Sequence, residues 1–285
     1  MDYGPAKTTA ISGRGGLFSE TTCRNSFPRP LGTIMNSSLQ SALQLLEASS
    51  HAIAFTGAGI SVASGIPDFR SPGGVWERHD PMEVATTRAL KSNPEGVWRF
   101  LLEAFSLTTK AQPNRAHTAL ARMEHAGVLH GIITQNIDAL HMRAGSRNVV
   151  EYHGTMARCV CMGCGQTFNE PEKIVFSKGF TIPWICDQCG GLVRPEIVFF
   201  GESIPLDALE KSGQLAREAD LVMVIGTSGN VAPANTIPYE IKSRGGKVIV
   251  INPQETSYAG MADVTIRQPA ETALPELAKA FSHHH

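Results

Sequence analysis

Four cysteines fall into two pairs, Cys161-x-x-Cys164 and Cys186-x-x-Cys189, with twenty-one residues between them. Two such pairs separated by roughly 15–20 residues are the pattern of a zinc ribbon, each pair chelating through one tight turn. Gly163, Gly165, Gly190 and Gly191 relieve the backbone at both turns. Thiolates from Cys161, Cys164, Cys186 and Cys189 would fill a tetrahedral sphere and leave no position for water, so a structural Zn2+ is expected. Cys159 stands one residue before the first pair and is read as a neighbour of the site.

Gly57-Ala58-Gly59 offers a second chemistry. A chain leaving an apolar strand through two close glycines can turn tightly and bring backbone amides, with the next helix's N-terminus, against a diphosphate. The third glycine of G-x-G-x-x-G is missing, because position 62 is Val, so the dehydrogenase fingerprint is not met. Thr134-Gln135-Asn136-Ile137-Asp138 places amides and a carboxylate just after another apolar strand, and Gly226-Thr227-Ser228 and Asn252 end two more. Singly, each reads as turn chemistry or a helix cap. Together, at the carboxyl ends of neighbouring strands, they would converge on one crevice.

The elements that must position these groups read as an α/β chain. Apolar strands are predicted at Ala52–Phe55, Gly131–Thr134, Leu221–Gly226, Lys247–Ile251 and Asp263–Ile266, with helical patterns at Glu95–Leu107 and Asn114–Glu124. Near-continuous apolar strands alternating with helices indicate a Rossmann-like, doubly wound parallel sheet covered on both faces. Two regions break the rhythm. Pro67, Pro72, Gly73, Gly74 and Pro81 predict an ordered but mobile loop, and about 157–193 forms a small inserted zinc module. Asn36 caps a helix carrying Leu39, Ala42, Leu43 and Leu46. The preceding 35 residues, Cys23 included, read as a flexible leader without a secretory apolar core, and His283, His284 and His285 as a frayed tail.

Composition removes several classes. Lys and Arg (25) nearly balance Asp and Glu (26), so nothing draws the chain to nucleic acid or anionic lipid. Within the zinc module Arg158, Lys173 and Lys178 face Glu170, Glu172 and Asp187, which disfavours a nucleic-acid-binding ribbon. No apolar run approaches the roughly 18 residues of a membrane span. Paired rather than scattered cysteines, in a chain with 42% apolar residues, fit a reducing, cytoplasmic setting with bound metal better than a disulfide framework.

In order along the chain, Gly57-Ala58-Gly59-Ile60-Ser61, Gly65-Ile66-Pro67-Asp68-Phe69-Arg70, Thr134 to Asp138, His153-Gly154, the cysteine pairs, Phe200-Gly201-Glu202 and Gly226-Thr227-Ser228 resemble the motifs of the sirtuin family, of bacterial or archaeal type. The resemblance covers Ser37 to Phe281. It implies an NAD-dependent protein-lysine deacylase that moves an acyl group from lysine to ADP-ribose and releases nicotinamide, with ADP-ribosyl transfer or NAD hydrolysis as the alternative outcome. It implies a catalytic domain over 36–282, its small part built from about 65–115 and the zinc module.

By the same resemblance His153 is the catalytic base, and its ordinary pKa near 6.5 suits that work at neutral pH. Asn136 and Asp138 would hold the nicotinamide carboxamide and twist the ring, Asn136 thereby serving catalysis, with Gln135 and Ile137 beside them. Asp68, Phe69 and Arg70 would form the cofactor loop, and Gly57, Ala58, Gly59, Gly226, Thr227, Ser228, Asn252 and Ala270 would complete the NAD site. Val198, Phe199 and Val231 would line an acyl-lysine tunnel. Peptides would bind by strand addition at Gly201-Glu202 and Asn230-Val231. Gly229-Asn230 and Ala232 depart from the usual turn. Where succinyl-preferring relatives carry a Tyr-x-x-Arg pair, Leu101 and Ala104 are expected here, which favours neutral acyl groups.

Overall fold

The computed structural model describes Met1 and residues 37–68 and 74–281. The rest of the expected leader with Cys23, the cap Asn36 and His283, His284 and His285 lie outside the described residues. The chain divides into two units, Met1–Met35 and Asn36–His285, and everything below concerns the second.

In chain order the strands are β1 (Ala52–Thr56), β2 (Leu129–Thr134), β3 (Val149–Glu151), β4 (Gly154–Cys161), β5 (Thr167–Asn169), β6 (Val193–Ile197), β7 (Leu221–Ile225), β8 (Lys247–Ile251) and β9 (Val264–Ile266). The helices are α1 (Ser37–Ala48), α2 (Val75–Arg78), α3 (Pro81–Val84), α4 (Thr87–Ser92), α5 (Pro94–Lys110), α6 (Arg115–His125), α7 (Leu140–Arg143), α8 (Glu172–Val175), α9 (Leu206–Glu218), α10 (Thr236–Ser243) and α11 (Ala270–Lys279). Among the described residues, no helix is long and apolar enough to cross a membrane.

Six strands form one sheet in the order β3-β2-β1-β7-β8-β9, every neighbouring pair parallel. Along β1, Ile53 and Phe55 join a core with Leu215 and Ala216 of α9 and Ile237 and Ile241 of α10. Ala52 and Ala54, on the alternate face, are equally buried, and there α1, α6 and α11 pack together. Both faces are covered, which is why the strands are apolar throughout. The strand order reverses between β1 and β7, the switch point where open α/β sheets bind ligands. The register matters more for function. Thr56 pairs with Thr134 and Ile225, Thr134 with Glu151, Ile225 with Ile251, and Ile251 with Ile266. The last residues of all six strands therefore stand in one row, and the loops after them open along one edge.

A second sheet, β5-β4-β6, is antiparallel. Its core centres on Trp98 of α5, which packs against Phe105, Phe180 and Trp184 and donates its indole N–H to the Val193 carbonyl at 3.0 Å. Helix α5 forms where it does because Asn93 accepts the Gly96 amide at 3.0 Å, Pro94 opens the first turn, and Val97, Trp98, Leu101 and Phe105 share a buried face. Truncating a buried indole of this kind to alanine costs about 3–5 kcal/mol. This core holds the cysteine pairs next to the main sheet, because β4 follows β3 with only Tyr152 and His153 between.

The segment after Gly57 differs from expectation. Ala58–Ser64 is a 3-10 turn rather than the start of an α-helix, closed by Gly65 at φ 87°. Asn114, the cap of α6, holds that turn by donating to the Ile60 carbonyl at 2.8 Å and the Ser64 hydroxyl at 3.0 Å.

Candidate active site

A cavity of about 730 Å³ runs along the row of strand ends. Gly57, Ala58 and Gly59 line it after β1, Gln135, Asn136 and Ile137 after β2, and His153 after β3. Gly226, Thr227 and Ser228 continue it after β7, Asn252 after β8 and Ala270 at the start of α11. At ~4.8 Å per strand, six strands span roughly 24 Å, enough for a dinucleotide laid across them. The volume lies within the usual range for small-molecule sites. The facing wall carries Asp68, Val198, Phe199, Gly201, Glu202 and Val231.

The lining positions after β1, β2, β3, β7 and β8 sit on loops whose strand ends share one register row, and the parallel register brings them together. Two expected residues lie outside the described residues, and two others do not line the cavity. Phe69 and Arg70 lie outside the described residues, and Asn230 is exposed but is not among the lining residues. Asp138 is a correction of a different kind. Its Oδ2 accepts the Ser61 hydroxyl at 2.7 Å and its Oδ1 the Leu140 amide at 2.9 Å, and it does not line the cavity. Burial pushes its pKa up, opposed by those two hydrogen bonds.

Asp138 acts on the cavity through its neighbours. Ser61 Oγ also accepts from Asn136 Nδ2 at 3.1 Å, and the same Nδ2 donates to the Gly57 carbonyl at 3.2 Å. Both Asn136 donors are thus committed to the wall, and Oδ1 is left as the acceptor available to a ligand. The glycine turn is committed too. Gly57 N donates to the Ile225 carbonyl at 3.0 Å and Gly59 N to the Gly226 carbonyl at 2.8 Å. A Cβ on Gly59 would meet the Gly226 carbonyl oxygen at 2.8 Å, so the glycines are required by the close approach of the β1 and β7 loops. The expected cradle of free amides is therefore partly spent on joining those loops.

The His153 ring is held through one nitrogen. Its Nδ1 lies 3.0 Å from the Gln135 carbonyl, which can only accept, so Nδ1 carries the hydrogen and Nε2 keeps its lone pair. Burial lowers its pKa, with the Gln135 hydrogen bond pulling the other way. The neutral imidazole is thus the form present at neutral pH. Its backbone carbonyl accepts the Val198 amide at 2.9 Å, which fixes it against the facing wall.

Glu202 lines the cavity with a carboxylate already in use. Oε2 accepts Arg194 Nη2 at 3.0 Å and the Phe199 amide at 2.9 Å, while Oε1 pairs with Arg194 Nη1. Arg194 also lies 5.0 Å over the Phe199 ring. The side chain braces Phe199 and leaves only backbone of this segment for a ligand.

Sequence reasoning missed other lining residues. Phe200, within a motif already noted, and Val62, at the missing glycine, line the cavity, as do Gln254 and Glu255 just beyond Asn252. Helix α5 contributes Phe100 rather than the expected pair. Leu101 is fully buried in the small core and Ala104 packs against that core, because the Trp98 face turns Leu101 inward. One turn beyond Phe100 stands Glu103, held by His79 Nε2 at 3.0 Å. Arg99 is exposed and paired with Glu95 at 2.6 Å.

Glu151, at the end of β3, was also unforeseen. Burial pushes its pKa from 4.5 up to about 6, against a hydrogen bond from Thr155, and Oε1 has no partner. A raised carboxyl pKa gives stability that is present below pH 4.5 and lost as pH rises through 6, at most roughly 2 kcal/mol. Glu151→Gln should therefore gain stability over the native chain on going from pH 4.5 to pH 7.5. Urea unfolding at both pH values measures this, and a difference that does not change with pH refutes it.

The four cysteines form one cluster. The sulfurs of Cys161, Cys164, Cys186 and Cys189 lie within 4.8 Å of one another, Cys161 to Cys189 at 3.3 Å and Cys164 to Cys186 at 3.9 Å. A tetrahedron with zinc–sulfur bonds of about 2.3 Å has sulfurs about 3.8 Å apart, so the set fits the metal. The Gly163 and Gly191 amides each donate to a cysteine sulfur at 3.3 Å, as suits thiolates. Cys159 stays outside the cluster, buried, with its thiol pushed up to about 12 chiefly by burial.

Comparison with known proteins follows from this geometry. Residues 57–233 match the pattern of the Sir2 family. The chain is 47% identical over 231 residues, 81% of its length and 91% of the relative's, to an NAD-dependent protein deacetylase of Sulfurisphaera tokodaii. It is 46% identical to an NAD-dependent protein deacylase of Thermococcus kodakarensis over 84% of this chain and 93% of that one. Among solved structures, a Sir2 homologue in complex with NAD superimposes with a TM-score of 0.79 at 40% identity, covering 88% of this chain and 95% of that chain. A Sir2 protein bound to a propionylated peptide gives 0.77 at 35% identity, covering 85% and 98%. With its parallel sheet, four-cysteine cluster and strand-end crevice, the chain belongs to the Sir2 family.

Proposed function

We propose that the chain is an NAD-dependent protein-lysine deacylase, with His153 as its base. The observation that carries this reading is an imidazole whose Nε2 lone pair is kept free by the Gln135 carbonyl, at one end of a crevice long enough for a dinucleotide. Relatives named for this activity, and Sir2 structures holding NAD or a propionylated peptide, support it. When bound, NAD supplies the ribose that receives the acyl group and the nicotinamide that leaves.

His153 Nε2 removes the proton of a ribose hydroxyl and so makes its oxygen nucleophilic. Asn136 Oδ1 accepts from the nicotinamide carboxamide, while Ser61 and Asp138 hold the amide at its angle. Gln135 and Ile137 flank that pocket, and Asp68, Phe69 and Arg70 serve NAD binding. Gly57, Ala58, Gly59, Gly226 and Thr227 bring two loops together under the diphosphate, with Ser228, Asn252 and Ala270 at the adenosine end. Val198, Phe199 and Val231 line the path of the acyl-lysine. The backbone at Gly201-Glu202 and Asn230-Val231 pairs with the peptide as an added strand, which gives affinity without demanding sequence. Residues 36–282 act as the catalytic domain, with small-domain parts at about 65–115 and 157–193, and the protein works in the cytoplasm.

The acyl group should be neutral. A succinyl carboxylate arriving beside Phe100 would find no cation on that helix face, and Glu103 one turn away adds like charge. Each 1.4 kcal/mol of lost transition-state stabilisation is about tenfold in rate. On one peptide, acetyl-lysine should be used at least about tenfold more efficiently than succinyl-lysine. Mass spectrometry of both reactions, with and without NAD, tests the choice and the function together. Acetyl loss that requires NAD and yields acylated ADP-ribose supports deacylation, whereas ADP-ribosylated peptide or free ADP-ribose alone would replace it with transfer or hydrolysis. Equal use of succinyl-lysine would refute the charge argument.

A further inference from the structure

The connection between β8 and β9 touches the crevice and the loop that follows β7. Gln254 and Glu255 line the cavity beyond Asn252. Ser257 and Tyr258, just beyond Thr256, grip the loop that follows β7. Ser257 N donates to the Ser228 carbonyl at 3.0 Å, and its hydroxyl donates to the Gly229 carbonyl at 3.3 Å. Asn235 Nδ2 donates to the same Gly229 carbonyl at 3.1 Å, and the Tyr258 hydroxyl donates to the Asn235 carbonyl at 3.2 Å. From α10, the Tyr239 hydroxyl holds the Ser257 carbonyl at 2.8 Å.

Packing is as tight as the hydrogen bonding. Tyr258 is fully buried, and Gly229 takes φ 79°. A Cβ at Gly229 would meet Ser257 Oγ at 2.0 Å and Tyr258 Cε2 at 2.6 Å, so the glycine that departs from the family's usual turn is the residue this contact requires. Beyond the gripped base, the loop sends Val231, Ala232 and Pro233 into the cavity wall.

We propose that Ser257 and Tyr258 are positioning residues for the acyl-peptide: they fix Gly229 and thereby the backbone of Asn230-Val231 on which the substrate strand pairs. The proposal rests on the deacylase reading above. Strand addition works through backbone groups that must meet within hydrogen-bond distance, so a shift of the base by a fraction of an ångström weakens peptide pairing first. His153, Gln135 and Asn136 sit on other loops, and the Ser257 amide that holds the NAD-facing Ser228 is backbone, so it survives substitution of the two hydroxyls.

The test uses the full chain with zinc bound, comparing it with Tyr258→Phe, Ser257→Ala and the double variant. Tyr258→Phe keeps the buried ring and removes only the hydroxyl. An acetyl-lysine peptide serves for fluorescence-polarisation binding and for steady-state kinetics with NAD. For the double variant, peptide Kd and KM should rise about five- to tenfold, as for one or two lost neutral hydrogen bonds, while kcat and the KM for NAD stay within about twofold. A peptide KM unchanged in an active double variant overturns the proposal alone, and so does a parallel loss of kcat and NAD affinity, which would mark the contact as support for the fold. A native enzyme that neither binds nor deacylates the acetyl-peptide overturns the deacylase reading and this proposal with it.

Discussion

Replacing His153 with alanine should lower kcat by about 10²- to 10⁴-fold, the usual contribution of a general base, while NAD and acyl-peptide still bind. The expectation follows from the ring's one-sided commitment: Nδ1–H is held by the Gln135 carbonyl at 3.0 Å, so all the chemistry the ring can offer resides at Nε2. Alanine removes that lone pair without touching the strand ends that line the rest of the crevice. The pH profile of the native enzyme provides a second check. Because burial lowers the His153 pKa, the lone pair stays available as pH falls through 6.5 and is lost only below it. The acid limb of kcat should accordingly lie below 6.5 and vanish from the residual activity of the variant. Turnover near the native level in His153→Ala, with peptide and NAD binding measured separately, would remove His153 from the role.

Loss of one zinc ligand should be more destructive. Cys186→Ala would leave three sulfurs of a four-sulfur set and expose the small core that Cys186 itself joins, together with Trp98, Trp184 and Cys161. Structural zinc contributes apparent binding energies of about 10–16 kcal/mol, comparable with the whole stability of an ordinary domain. The variant should bind less than stoichiometric zinc, lose the antiparallel sheet and aggregate, and chelation of the native protein should do the same. Metal analysis beside circular dichroism and turnover decides the matter. A metal-free protein that stays folded and fully active shows that the cysteines have another purpose.

Much of this arrangement was legible before any coordinates. The strands β1, β2, β7, β8 and β9 are continuous apolar runs because both sheet faces are covered, and their ends fall within two residues of the expected bounds. β3 escaped notice because three residues carry no periodicity. β4 and β6 did so because an antiparallel sheet with an exposed face mixes cysteine, arginine and glutamate into its strands. Residue identity at the site was readable, but its commitments were not. That Glu202 is spent on Arg194 and Asp138 on Ser61 depends on partners brought close by folding. The Leu101 expectation failed by one residue for the same reason: on α5 the indole of Trp98 sets which face is inward, and that hands the cavity to Phe100.

The Trp98 core has a further consequence for how this protein can be watched. The chain has three tryptophans: Trp98 and Trp184 belong to the small core, and Trp76 lies within α2. Trp98 and Trp184 lie 6.0 Å apart in the same core as Cys161 and Cys186. In a Trp76→Phe background, indole emission from Trp98 and Trp184 is therefore a private signal of the zinc-bearing part, whereas the far-ultraviolet dichroism sums over every helix and strand. If the two parts come apart at different temperatures or metal concentrations, the two spectra will disagree, and the size of that disagreement will read out how firmly the cysteine module is tied to the nucleotide sheet.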